Sequence, residues 1–583
     1  MKFLSNLLAV ILGLFIFFFL VILLLVGIIS ATSTERTVSI ADNSVLNIVL
    51  NGVVSEQEAD DPFSDIDFPG GAPREMGLRE MKAAIHHAKD DPKIKGIFLE
   101  PKIFEAGYAS LGELKKALSD FKTSGKFVVA YGEIYTEKAY YIASVADKIF
   151  LLKDYGILEF NGLNAEVIFI KGTLDKLGVE PEVFRVGDYK SAVEPFIRNK
   201  MSDANREQLS SFVNSIYNNV VHDISGSRNI PYDELMNISD SMLVRNASDA
   251  LHYHLVTGLA YYGEVEDSLK SMSGVGLNQK LKKISYRKYN KSYSDGEYAS
   301  DKIAVIVASG DIVTGKGDEN SIGSDKFAEE IRKATGNEKI KAIVLRVNSP
   351  GGSAMASDII WNEIQLARAK KPVIASMSDL AASGGYYISM GCDSIVASQT
   401  TITGSIGVFS LLFNAQKLLN DKLGITTDNV NTGIYSDLFT VSRPLTDPEK
   451  KILQNQTEQV YTIFTSKAAS GRNMKPEDLL KIASGRVWSG EEARQRGLVD
   501  KFGTLEDAIK IAADKAKLTK YKVVYYPEHK SFIEQIISQF SGDMETKIIK
   551  TRLGDLYPYF EKIRKAAHYN GIQTRMPFDI SLN

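Results

Sequence analysis

Apolar and polar positions divide the chain into two unlike parts. From Leu7 to Ile29 every residue is apolar or glycine. At ~1.5 Å per residue this run predicts a helix able to cross a hydrocarbon core ~30 Å thick. A cleaved signal sequence has a shorter apolar stretch, usually ~7–15 residues, and ends at a small-x-small site. Ser30-Ala31-Thr32-Ser33 matches such a site poorly, so the run reads as an anchor. Lys2 precedes the span, while Glu35 and Arg36 offset each other behind it. The positive-inside rule then places the bulk of a single-pass protein outside the cytoplasm.

Past the anchor, short β-rich runs alternate with stretches of helical spacing, and the pattern occurs twice. Lys93-Ile94-Lys95-Gly96-Ile97-Phe98-Leu99 recurs as Lys339-Ile340-Lys341-Ala342-Ile343-Val344-Leu345. Tyr140-Tyr141-Ile142 recurs as Tyr386-Tyr387-Ile388, and Asp175-Lys176-Leu177-Gly178-Val179 as Asp421-Lys422-Leu423-Gly424-Ile425. All three separations are 246 residues, which marks a tandem duplication. Each copy opens with an apolar run (Val45–Val49 or Ile303–Val307), continues through the Lys-Ile-Lys strand, and adds another at Phe127–Ala130 or Pro372–Ala375. Strands alternating with helices predict βαβ units around a largely parallel sheet, an α/β fold.

The expected boundaries are a cytoplasmic N-terminus over 1–6, the anchor over 7–29 and a linker over 30–44. The first repeat covers 45–284, a Ser/Tyr/Lys-rich linker 285–301, the second repeat 302–515, and an extension 516–583. The acidic segment Glu56–Asp67 reads as a mobile loop, and Ile533–Tyr559 has the apolar spacing of a helix.

Composition narrows the function. A chain of 583 residues is too long for one core. Its 69 basic and 72 acidic residues leave a net charge of −3, which gives nucleic acid no electrostatic foothold. One cysteine excludes an intrachain disulfide and a thiolate metal cluster; no metal or cofactor is expected.

Duplicated cores keep their packing residues, so differences at matched turns point to chemistry. The second copy reads Asn348-Ser349-Pro350-Gly351-Gly352-Ser353 where the first has Lys102-Ile103-Phe104-Glu105-Ala106-Gly107. Adjacent glycines after a strand let N–H groups face a cleft and hold an oxyanion, although a plain turn would look the same. The second copy also has Ser383-Gly384-Gly385 where the first has Glu137-Lys138-Ala139. Ser383 at a strand-to-helix junction is either a nucleophile or an ordinary helix cap. A serine nucleophile needs a base, and residues 301–516 contain no histidine. The seven histidines elsewhere (His86, His87, His222, His252, His254, His529 and His568) lie outside any strand-end glycine motif. A Ser-Lys dyad is the alternative to a triad. At the 246-residue offset Lys190 matches Ser436, so one copy keeps the candidate base and the other the candidate nucleophile.

These stretches, with Thr403-Gly404-Ser405-Ile406-Gly407-Val408 and Gly187-Asp188-Tyr189-Lys190-Ser191-Ala192-Val193-Glu194-Pro195-Phe196, closely resemble the signal peptide peptidase A (protease IV) family in its long, duplicated bacterial form. The resemblance covers nearly the whole chain. It implies tandem ClpP/crotonase-like domains, a homotetrameric bowl in the bacterial inner membrane, and cleavage of hydrophobic signal-peptide remnants after export. It also implies Ser383 as nucleophile, Lys190 as general base, Ser405 as the serine that orients the lysine, and Gly352 and Gly384 as oxyanion-hole donors. Lys190 then has to be neutral, so burial must lower its pKa by several units from ~10.4. A peptide adding a strand beside Gly404–Val408 would make Gly351, Gly404, Ile406 and Gly407 its contacts. Lys190 meets Ser383 either within one chain or across neighbours. The competing readings are a crotonase-type acyl-CoA enzyme, which needs no serine nucleophile, and an inactive membrane scaffold.

Overall fold

The computed structural model describes residues 6–7, 10–20, 38–58, 75–293, 299–318, 320–527 and 571–576. Residues 10–20 of the expected anchor are helical; most of the remainder of Leu7–Ile29 lies outside the described residues, as do Ile533–Tyr559 and the greater part of the acidic segment Glu56–Asp67. Among the described residues no helix is long and apolar enough to cross a membrane.

Each repeat is a mostly parallel sheet covered on both faces. In the first, the strands run in the order Lys283–Ser285, Ser44–Ser55, Ile94–Glu105, Phe127–Gly132, Lys148–Leu152, Gly258–Ala260. In the second they run Val487–Ser489, Ile402–Gly404, Val373–Ala382, Ile340–Ser349, Lys302–Ser309, Lys522–Tyr526. Period-two alternation sorts the side chains between the layers. Ala304, Ile306 and Ala308 join the core that includes Phe327 and Ile360, while Ile303, Val305 and Val307 face Leu505, Ala508 and Ala512 on the opposite side. The first repeat is built alike: Leu46, Ile48 and Leu50 face one way and Val45 the other. Helices Leu78–Asp90 and Tyr108–Lys122 have counterparts Ser324–Gly336 and Ala354–Arg368, each pair offset by 246 residues (324 − 78, 354 − 108).

Two segments are more ordered than their composition predicts. The Ser/Tyr/Lys-rich linker over 285–301 begins at the end of strand Lys283–Ser285 and includes helix Tyr286–Asn290, because Tyr286 and Tyr289 are buried in the first core. Past residue 515, strand Lys522–Tyr526 extends the second sheet by pairing in parallel with Lys302–Ser309.

A third sheet joins the repeats. Its order is Ser321–Gly323, Asp311–Val313, Gly351–Ser353, Gln573–Arg575, Val408–Asn414, Glu180–Val186. Glu180–Val186 comes from the first repeat and pairs antiparallel with Val408–Asn414 of the second over seven residue pairs. Behind this junction Arg346 of the second repeat donates to Glu56 and Glu113 of the first, both at 2.8 Å, and to Ser376 and Ser378 at 3.0 Å. Burial opposes ionisation of Glu113, but the Arg346 and Lys82 charges hold its carboxyl down at about 2. A buried charge so paired penalises any other docking of the two halves, since separating them strands the carboxylates.

Candidate active site

Strand Val373–Ala382 delivers Ser383 to the start of helix Gly384–Ser389 through a backbone turn with φ of 55°. That conformation is costly for a residue with a Cβ and must be held by its surroundings. The Ser383 N–H donates to Gly404 O at 2.8 Å, and its carbonyl accepts from Tyr387 N at 2.8 Å. Upstream, the N–H and hydroxyl of Ser110 in the first repeat donate to Asp379 at 2.8 and 2.5 Å. Ser383 occupies the helix N-cap, yet its side chain makes no capping bond.

The hydroxyl turns instead toward the first repeat. Lys190 Nζ stands 2.8 Å from Ser383 Oγ, 3.0 Å from Ser405 Oγ and 3.2 Å from Ser405 O. Lys190, Ser383 and Ser405 are all fully buried. Burial alone pushes the Lys190 amine well below the usual lysine range. Both partners lie in one chain. A neutral amine at hydrogen-bonding distance from a hydroxyl can take its proton, which is the chemistry of a general base.

Lys190 follows strand Glu180–Val186 and is fixed by a buried polar network. Gln208 Nε2 donates to Tyr189 O at 3.1 Å and to Ser191 Oγ at 2.8 Å; Ser191 Oγ donates to Asn205 Oδ1 at 2.9 Å, and Asn205 Nδ2 to Glu194 Oε2 at 3.0 Å. From the second repeat, Val487 N donates to Gln208 Oε1 at 3.1 Å and Ser484 O accepts from Tyr189 N at 3.1 Å. The loop Ser484-Gly485 was not among the expected site residues. Its signal lay in the same comparison of copies, because Gly485 matches Ser239 at the 246-residue offset. Gln208 and Asn205, ordinary polar residues of a long helix, carry no such mark.

The remaining candidates fall into two groups. Gly351, Gly352 and Gly384 form a cradle in which a Cβ on Gly351 would lie 2.6 Å from Gly384 N and one on Gly352 would lie 2.0 Å from Ile312 O. Gly351 and Gly352 adopt φ of 98° and 156°, the region glycine favours. Gly404, Ile406 and Gly407 frame the dyad pocket from behind. Gly404 O accepts from Ser383 N, Ile406 O accepts from Gly485 N at 2.8 Å, and Gly407 O lies 3.5 Å from Ser383 Oγ. The Ile406 side chain points into the second core.

The peptidase family S49 model matches residues 120–276 and again 365–519. "Protease 4" of Salmonella typhi is 38% identical over 82% of this chain and 78% of its own length. The chain belongs to peptidase family S49. It carries two S49 repeats, and the Clp protease model also matches residues 294–400, in keeping with a ClpP-like fold. "Protease 4" of Haemophilus influenzae is 36% identical over 84% of this chain and 82% of that protein. "Serine protease SPPA, chloroplastic" of Arabidopsis thaliana is 35% identical over 82% and 70%. As an S49 member with these relatives, the chain is a serine peptidase.

Proposed function

We propose that this S49 peptidase is a membrane-anchored endopeptidase that works through a Ser383–Lys190 dyad on hydrophobic peptides, signal-peptide remnants among them. The observation that carries the reading is the 2.8 Å approach of a buried lysine amine to the hydroxyl of a serine that caps nothing. Lys190 takes the Ser383 proton as Oγ attacks a peptide carbonyl. The N–H groups of Gly352 and Gly384 hold the oxyanion, which is worth most where water is excluded. Lys190 then protonates the leaving amine, and water releases the acyl group from Ser383. Ser405, bonded to the amine on one side, aims its lone pair at the hydroxyl.

Location follows from the run Leu7–Ile29, which would hold the site beside the bacterial inner membrane with the bulk of the chain outside the cytoplasm. There apolar peptides collect. A homotetramer with inward-facing sites belongs to the same reading. The test is hydrolysis of an apolar reporter peptide by the detergent-solubilised full chain and by Ser383→Ala and Lys190→Ala. Both variants are expected to fold and to lose activity; activity near wild type in either would remove the dyad.

A further inference from the structure

Residues 571–576, Gly571-Ile572-Gln573-Thr574-Arg575-Met576, lie as a strand in the cleft between two others. Gly351, Gly352 and Ser353 pair antiparallel with Arg575, Thr574 and Gln573, and Phe409 pairs with Gln573 on the other edge. Met576 N donates to Pro350 O at 2.7 Å, and Ala354 N donates to Ile572 O at 3.1 Å. A segment seated on a sheet edge by its main chain, with alternate side chains in pockets, is bound as a peptide ligand is bound.

The register places one carbonyl over the glycine cradle. Thr574 O lies 2.0 Å from where a Cβ on Gly351 would sit and 3.0 Å from where one on Gly384 would sit. Only glycine at 351 admits it. Thr574 is fully buried, with its hydroxyl 3.2 Å from Gly352 O and 3.4 Å from Ser357 Oγ. Ile572 packs on the second core, and Met576 is buried with Ala382 and Val487. Arg575 pairs with Asp311 at 2.7 Å. Nothing in the first repeat's matched turn, Lys102–Gly107, offers an equivalent seat.

We propose that this strand is a substrate of the chain's own site and that the peptidase cuts itself between Thr574 and Arg575. The inference rests on the dyad reading. Ser383 Oγ bonds to the Thr574 carbonyl carbon while its proton passes to Lys190. The Thr574–Arg575 C–N bond breaks as Lys190 returns that proton to the Arg575 nitrogen. Water then splits the Ser383 ester, leaving Thr574 as a new carboxylate terminus and restoring the hydroxyl. The same seating defines preference for other peptides: a small residue at the carbonyl that is attacked, and an apolar one two positions before it.

The experiment is intact-mass analysis and C-terminal peptide mapping of the full chain, incubated in detergent, alongside Ser383→Ala and Arg575→Pro. Arg575→Pro makes the leaving nitrogen a tertiary amide while leaving Ser383 and Lys190 untouched. A species ending at Thr574 is expected from the wild type and from neither variant, whereas Arg575→Pro still hydrolyses an added apolar peptide. A wild-type chain that hydrolyses the added peptide but stays intact at Thr574–Arg575 overturns self-cleavage and leaves the dyad standing. Cleavage at that bond in Ser383→Ala also overturns it. Hydrolysis of the added peptide by Ser383→Ala instead overturns the dyad reading itself.

Discussion

Gly485 stands against Lys190 so closely that a Cβ on the glycine would lie 2.7 Å from the lysine Cβ and 2.8 Å from its Cα and N. The glycine belongs to the second repeat and the lysine to the first, so the lysine is located by main chain of the half it acts with. At φ of 79° Gly485 also occupies the left-handed region. Gly485→Ala is therefore expected to cost ~1–2 kcal/mol in backbone strain alone, and to displace the amine from Ser383. Peptide hydrolysis should fall more steeply than the melting temperature. Gly263→Ala, in a helix with open space around it, is the control that changes neither.

Replacing the buried amine should separate activity from stability. The folded state gives up the Lys190 proton more readily than the unfolded chain, whose lysine titrates near 10.5. Between the lowered value and 10.5 the unfolded chain binds the extra proton, so stability due to this residue falls as pH falls. Lys190→Met is expected to lose ~10²–10⁴ in kcat yet melt higher than wild type. The gap in melting temperature should be wider at pH 7 than at pH 10; a gap that does not change with pH would count against a neutral buried amine.

Ser405→Ala should leave the fold intact, because Ser405 N still donates to Arg486 O at 2.7 Å. It removes the hydroxyl 3.0 Å from Lys190 Nζ. Loss of an aiming contact lowers kcat, by ~10-fold, and leaves KM unchanged. Steady-state kinetics on one apolar peptide decides it.

Glu137, which matches Ser383 in the first repeat, gives a pH-dependent stability of opposite sense. Burial pushes its carboxyl up to about 7, even though Gly162 and Asn161 donate N–H bonds to it. The folded state thus holds this proton more tightly, and stability declines as pH rises from the ordinary 4.5 through about 7. Glu137→Gln keeps the acceptor oxygen and removes the charge. Its unfolding free energy should match wild type near pH 4 and exceed it by about 3 kcal/mol above pH 8, measured by denaturant titration.

The parts of this architecture that were legible in the sequence are those with a period or a copy. Alternation in Ile303–Val307 assigns faces that the two cores occupy, and the 246-residue offset finds matching helices at Leu78 and Ser324. Contrast between copies singled out Ser383, Gly351, Gly352 and Lys190, which the fold brings together around one turn. What composition hid was tertiary. Tyr286 and Tyr289 look like linker residues until a core receives them. The seat of Gln573–Arg575 depends on strands more than 150 residues away, which no local pattern encodes. A peptide beside Gly404–Val408 was expected from the glycines there, but those glycines back the dyad, and the strand in the cleft runs along Gly351–Ser353 instead.

The shared third sheet bears on how the chain is made. Lys190 leaves the ribosome 193 residues ahead of Ser383, and strand Glu180–Val186 has no ladder partner until Val408–Asn414 has followed. On the dyad reading, no nascent fragment ending before residue 408 can hydrolyse a peptide bond. Proteolytic competence would arrive only with the second half, so a chain interrupted during translation is harmless to its neighbours.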